Sequence, residues 1–222
     1  MNTLTSPPVS GLLTRLFAEA AVADGALMAE LGRLPAEERA VFMHRAQTDY
    51  RSFYGDAKAM FMPISPETGR MLYLLARATR ARSIVEYGTS FGLSTIHLAA
   101  AVRDNGGGLV LGSDFEPSKV ARARAHLAEA GLSDLVEIRE GDALETLARD
   151  LPEVVDLVLL DGAKLLYPRI LALLEPRLAP GALVVADNAD DSPDYLAQVR
   201  DPANGYVSMP FTREVEISSR VG

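Results

Sequence analysis

Hydrophobic and polar positions divide the chain into two unlike halves. From Leu12 to about Leu34, and again from Ala36 to about Tyr54, apolar residues recur every three or four positions with charges between them, the period of amphipathic helices. A third helix is expected over ISPETGRMLYLLARAT (64–79), where Ser65, Pro66 and Glu67 form a helix-start signature. Residues 1–10, rich in Ser, Thr and Pro, read as a loose tail. Beyond residue 82 the apolar runs become short and continuous: SIVEYG, GLVLGSDF, LVEIREGD, VDLVLLDG and GALVVADN. Helical stretches separate them: GLSTIHLAAAVRD, PSKVARARAHLAEAGL, ALETLARDL and LLYPRILALLEPRL. Continuous apolar strands alternating with helices predict a parallel sheet covered on both faces. The closely spaced YVSMPF and EVEISSR predict an antiparallel hairpin at one edge. The expected fold is therefore α/β, a doubly wound, mostly parallel seven-stranded sheet with a C-terminal antiparallel hairpin. An N-terminal helical cap (1–63) precedes the core (64–222) within a single domain.

Composition narrows the function. The 222 residues are 48% hydrophobic and 23% charged, which is ordinary for a globular chain, and no apolar run approaches the roughly 20 residues of a membrane span. A net charge of −8 disfavours a polyanionic partner, so no nucleic acid and no membrane are expected. A small molecule is the expected partner, and a homodimer is the one assembly left open. The start MNTLTSPPVSG has no secretory pattern, which gives a cytoplasmic expectation. With no Cys there are no thiolate metal sites and no Cys nucleophile.

In a doubly wound sheet, ligands sit beyond the carboxyl ends of the strands. Here each of those ends carries acid: Glu86, Asp114, Asp142, Asp161, and Asp187 followed by Asn188. The first turn, EYGTSFGLS, places Ser90 where a dinucleotide fingerprint needs its middle Gly, between Gly88 and Gly92. Glu86 would repel a phosphate but suits a cationic amine. Asp114 suits two ribose hydroxyls, and Asp142 an adenine amino group. A ligand with a ribose and an ammonium but no phosphate meets these groups, and S-adenosylmethionine has that character. A nicotinamide-dependent (NAD) oxidoreductase and a non-catalytic S-adenosylmethionine-binding protein are the alternatives.

VEYGTSFGLSTIHLA, SDFEPSK, EGDALETL, LLDGAK and VVADNADDSPDYLAQVR resemble, in order and spacing, the motifs of the catechol O-methyltransferase group of class I S-adenosylmethionine-dependent enzymes. The likeness runs from about Gly55 to Gly222 and implies a Rossmann-like methyltransferase fold and O-methylation of a catechol-like acceptor. It assigns Glu86, Gly88, Ser90, Ser94, Asp114, Phe115, Asp142, Ala143 and Asp161 to the cofactor, with Met62 and Ile64 in the same pocket. Asp161, Asp187 and Asn188 offer hard oxygens suited to Mg²⁺ or another divalent cation such as Mn²⁺ or Ca²⁺, provided the chain leaves the strand at Asn188; Asp190 and Asp191 lie nearby. Lys164 is assigned as general base, catalytic together with Asp161. Beside a metal and a sulfonium its pKa is expected to fall from about 10.4. The chain has no Trp, so the group's aromatic walls are replaced by Met60 and Ala163, and Ala163 is expected to leave space for a bulky acceptor. Glu214 is the only candidate for the acidic residue that meets the second acceptor hydroxyl. His44, His97 and His126 receive no role.

Overall fold

A computed structural model describes residues 2–221; Met1 and Gly222, the ends of the two expected segments, lie outside the described residues. The first four helices are α1 (Val9–Arg33), α2 (Ala36–Thr48), α3 (Tyr50–Asp56) and α4 (Pro66–Ala78). Then follow β1 (Ser83–Tyr87), α5 (Leu93–Asp104), β2 (Leu109–Asp114), α6 (Pro117–Glu129), β3 (Val136–Glu140) and α7 (Ala143–Thr146). The chain ends with β4 (Val155–Leu160), α8 (Tyr167–Leu174), β5 (Leu178–Ala186), α9 (Pro193–Arg200), β6 (Tyr206–Pro210) and β7 (Glu216–Arg220). The strands form one sheet in the order β3-β2-β1-β4-β5-β7-β6. The first five in that order are parallel, and the β6–β7 hairpin adds antiparallel to β5. Strand order reverses between β1 and β4, which puts the switch point where the acid-ended loops converge.

β1, β2 and β4 are buried nearly throughout because both of their faces are covered. Alternate residues feed two cores: Ile84, Val110, Leu157 and Leu159 pack beneath α1, α4, α5 and α6. Val85, Leu111, Val158 and Leu160 face α8 and α9.

Four expectations needed correction. The second helix breaks at Asp49 (φ −139°, ψ 62°), whose carboxylate accepts the Ser52 N–H and starts α3 on a new axis. ALETLARDL yields only the four-residue α7, capped by Asp142 at Leu144 N–H. β5 begins at Leu178, three residues before the expected Gly181. The N-terminal tail is also not loose. Thr3 donates from its N–H (2.9 Å) and hydroxyl (2.6 Å) to the Asp104 carboxylate, which also accepts from Tyr73 Oη at 2.7 Å. Leu4 is buried beside them.

Partial burial works against the charge on Asp104, but these donors outweigh it and hold its pKa below the usual carboxylate value. A depressed carboxylate stabilises the fold above its unfolded pKa, and that contribution is lost as pH falls through the folded value. Asp104→Ala is therefore expected to cost about 1–3 kcal/mol at pH 7, because it leaves three donors without their acceptor. The loss should shrink at about pH 3 and below, where protonation weakens the anchor in the parent protein as well. Urea unfolding at the two pH values checks this, and an equal cost at both would show that the charge is irrelevant.

Candidate active site at the strand switch point

The turn after β1 is built around three backbone conformations that side chains resist: Gly88 at φ +97°, Ser90 at +48° and Gly92 at +85°. A Cβ on Gly88 would lie 2.4 Å from the Asp161 carbonyl oxygen, so only Gly lets this loop touch the end of β4. Tyr87 fastens the other side. Its carbonyl accepts Asp161 N–H at 2.8 Å, its hydroxyl accepts Ala163 N–H at 3.0 Å, and its ring lies against Gly162, where a Cβ would come within 2.3 Å. The loops after β1 and β4 are thus one unit.

These loops, together with those after β2 and β3, line a cavity of about 1030 Å³. That is at the upper end of the roughly 300–1,000 Å³ usual for small-molecule sites. At one end, Asp114 accepts the Ser90 N–H (2.7 Å) and the Glu116 N–H (2.9 Å). Burial raises its pKa even so. At the other end, Lys164 Nζ donates to Asp161 Oδ1 at 3.2 Å, with Asn188 and Asp191 close by on the wall.

Of the residues assigned to the cofactor, Met62, Gly88, Ser90, Asp114, Phe115, Asp142, Ala143 and Asp161 border this cavity. Ile64, Glu86 and Ser94 are buried outside its wall. Glu86 is fully buried and accepts from the Thr95 (2.5 Å) and Thr89 (3.0 Å) hydroxyls through one oxygen, while its other oxygen has no partner among the described residues. Burial pushes its pKa to about 7. Glu86 therefore braces the turn from behind, and the direct contact with an amine expected for it is not what this geometry offers. Room for that bracing comes from Gly112, where a Cβ would meet the Thr89 hydroxyl at 2.4 Å. Asp142 borders the cavity, with one oxygen capping α7 and the other paired with the Arg51 guanidinium.

The oxygen trio is brought together by pairing of β4 with β5. Leu160 faces Ala186, so Asp161 and Asp187 leave neighbouring strands side by side. Asn188 adopts a left-handed turn (φ +47°, ψ 43°), so the chain has left the strand at that residue, as a shared ion requires. Asp161 faces the main cavity. Asp187 faces a smaller one of about 460 Å³ that it shares with Glu214, and Asn188 borders both. Burial and the nearby Asp161 push Asp187 to about 7. Two half-buried carboxylates on neighbouring strand ends, with the Asn188 amide bordering both cavities, are oxygen donors of the type that suits a divalent cation.

The protein's own groups act on Lys164 in opposite directions. Burial alone would lower its pKa, but Asp161, Tyr54 and Asp187 outweigh that and move it upward. The reason is the ion pair: with side chains only 15% and 12% exposed, Lys164 and Asp161 stabilise each other's charge. That pair also explains how a cation is tolerated at the start of a helical turn. Ala163 brings a second correction. It is only 4% exposed, and Tyr50 and Tyr54 of α3 pack against its cluster, so part of the space expected beside it is filled.

Several wall residues escaped the sequence reading, Lys119, Arg51 and Tyr54 among them. Lys119, 4% exposed, donates to Ser90 Oγ at 3.2 Å, and burial lowers its pKa. Arg51 and Tyr54 come from α3. Their spacing of three along a helix, next to an aromatic cluster, was the only available signal.

Residues 85–189 match the family described as methyltransferase domain. A catechol O-methyltransferase of Niastella koreensis is 35% identical over 128 residues, which are 56% of this chain and 57% of that protein. A catechol O-methyltransferase of Mycobacterium tuberculosis is 36% identical over 141 residues, 62% of each. The chain thus spans less than two thirds of the length of either relative. An O-methyltransferase from Streptomyces achromogenes, solved with S-adenosylmethionine, superposes with a TM-score of 0.63 at 26% identity, covering 82% of this chain and 90% of that one. An O-methyltransferase from Bacillus cereus, solved with S-adenosylhomocysteine, has the same fold (TM-score 0.68, 23% identity, 80% and 90% covered). Over residues 85–189, a little under half of the chain, the sequence is similar to that methyltransferase-domain family, and in sequence and sheet order the chain is similar to these O-methyltransferases.

Proposed function

We propose that the protein transfers a methyl group from S-adenosylmethionine to a hydroxyl of a small molecule bearing vicinal oxygens, such as a catechol. The observation that carries this reading is one cavity with a ribose-suited carboxylate, Asp114, at one end and the Asp161–Lys164 pair at the other. A dinucleotide suits the same cavity less well. Ser90 Oγ, which donates to the Phe61 carbonyl at 3.0 Å, fills the place where a pyrophosphate would need bare backbone.

In the proposed reaction the acceptor oxygen attacks the methyl carbon in line, the C–S bond breaks, and its electron pair returns to sulfur as the neutral thioether. The protein contributes mainly position, holding the two reactants so that the step is effectively unimolecular. Asp161, Asp187 and Asn188 would hold a divalent cation. When bound, that ion would lower the acceptor hydroxyl's pKa and draw Asp161's charge away from Lys164. Lys164 is the proposed proton acceptor, and it fills that role only in its neutral form, which the ion pair with Asp161 opposes.

Calorimetric titration with S-adenosylhomocysteine, followed by turnover of a catechol with and without Mg²⁺, tests this reading; absence of binding would refute it. Asp114→Ala is expected to weaken S-adenosylhomocysteine binding by on the order of 10-fold or more, since a charged hydrogen-bond acceptor is lost. Unchanged affinity would remove the ribose assignment. Lys164→Met is expected to keep that affinity within a few-fold while lowering kcat by about 10² or more. An unchanged kcat would reduce Lys164 to the partner of Asp161.

A further inference from the structure

α3 forms part of the cavity wall through Tyr50, Arg51, Phe53 and Tyr54. Arg51 reaches the loop after β3 and pairs with Asp142, at the end where the cofactor's adenosine is proposed to lie. Three residues on, Tyr54 lines the same cavity as Asp161, Lys164 and Ala163. Its ring packs edge-to-face on Phe53 (5.1 Å between centroids, 90°), and Phe53 packs on Phe42 of α2 at 5.0 Å. Among the described residues, the Tyr54 hydroxyl has no hydrogen-bond partner. A phenol anchored by its ring, with its polar end unused and facing an ion pair, is suited to meet a ligand.

We infer that Tyr54, held in register by the Arg51–Asp142 contact on the same short helix, is the specificity-determining residue that sizes and orients the acceptor. The inference rests on the methyltransferase reading. Its ring forms the acceptor-side wall that a residue larger than Ala163 would otherwise supply, and its hydroxyl is a donor for an acceptor oxygen. Arg51 is a positioning residue: it touches no acceptor and acts through the placement of α3. The seven residues of α3 are too few to hold their own helix in water. Their position is set by contacts at the ends, and the Arg45 guanidinium ties α2 to α3 through Ser52 (2.9 Å) and Asp56 (2.7 Å).

The experiment combines kinetics with hydrogen exchange. Catechol and a bulkier 4-aryl catechol are compared as acceptors for the parent, Tyr54→Phe, Tyr54→Ala, Arg51→Met and the Arg51→Met/Tyr54→Ala double variant. Tyr54→Ala is expected to move the kcat/KM ratio toward the bulky acceptor by about 10-fold, with S-adenosylhomocysteine affinity little changed. Tyr54→Phe, which keeps the wall, should leave the ratio in place and raise KM for both acceptors. Arg51→Met should shift the ratio in the same direction by about 3-fold, as fits an exposed ion pair. The double variant should go no further than Tyr54→Ala alone, because Arg51 acts through Tyr54. Equal losses for both acceptors in Tyr54→Ala, or additive shifts in the double variant, would overturn the proposal. Independently of turnover, S-adenosylhomocysteine should slow amide exchange across residues 50–56 in the parent but not in Arg51→Met. Equal protection in the two proteins would also overturn it. Failure of the parent to bind S-adenosylhomocysteine would instead remove the methyltransferase reading and this inference with it.

Discussion

Asp161→Asn is expected to lower methyl transfer on the order of 10³-fold while leaving the protein folded. The carboxylate has two proposed duties, as an oxygen ligand for a divalent cation and as the partner of Lys164 at 3.2 Å. Loss of a metal-polarised hydroxyl removes several kcal/mol of transition-state stabilisation, and each 1.36 kcal/mol is about a factor of ten in rate. The amide is the better probe because Ala would strand Lys164. Truncating one member of a buried ion pair costs about 3–5 kcal/mol, so a lost activity could then be a lost fold. Asn keeps the shape and a hydrogen-bond acceptor for Nζ. Thermal unfolding should confirm an intact protein before kcat is compared, and metal-stripped parent protein in excess EDTA should show a comparable loss. Full turnover by that stripped protein would dismiss the metal. Retained activity in Asp161→Asn would dismiss this ligand set.

Gly88→Ala is the second large effect, and it acts on the backbone. A methyl at this position would sit 2.4 Å from the Asp161 carbonyl oxygen and 2.7 Å from Gly162 N, atoms that have no free torsion with which to retreat. The residue also adopts φ +97°. Forced overpacking costs about 1–3 kcal/mol and a strained backbone conformation about as much again, so the fold should lose roughly 3 kcal/mol or more. Relief requires the loops after β1 and β4 to part, which would take Asp161 and Lys164 out of register with the cofactor site. Binding of S-adenosylhomocysteine should therefore fall together with stability. Gly106→Ala is the control. Gly106 has a similar φ of +91° but nothing within 4 Å of a built Cβ, so it isolates the conformational part, expected at about 1 kcal/mol. Urea midpoints at constant slope measure both. Equal losses in the two variants would mean that the close approach to Asp161 contributes nothing.

Much of this was legible in the order of residues. Continuous apolar runs separated by helical periods gave a parallel sheet because both faces of β1, β2 and β4 are buried, and burial is what removes the alternation. The hairpin was legible from its short spacing. The acid at each strand end marked the site, because the carboxyl ends of parallel strands converge at the switch point. Ser90 in place of a Gly was the residue that pointed away from a dinucleotide, and in the fold its hydroxyl donates to the Phe61 carbonyl.

What the tertiary structure decided were properties that depend on neighbours remote in sequence. The direction of Lys164's pKa turns on whether Asp161's charge outweighs burial, a balance fixed by a distance of 3.2 Å. The space beside Ala163 is partly bounded by Tyr50 and Tyr54, more than a hundred residues earlier in the chain, which helical period could place on a helix but not over a cavity. Glu86 reads as a ligand-facing acid from its position after an apolar run. Only the packing of Thr89 and Thr95 around it, in room left by Gly112, turns it inward. The tail was misread because Ser, Thr and Pro have no period, whereas Asp104, a hundred residues away, supplies the acceptor that orders it. Local sequence determined which elements form and where acid is exposed at their ends. Long-range contacts determined which of those acids border the cavity and which are turned away from it, because the packing around a carboxylate decides which way it points.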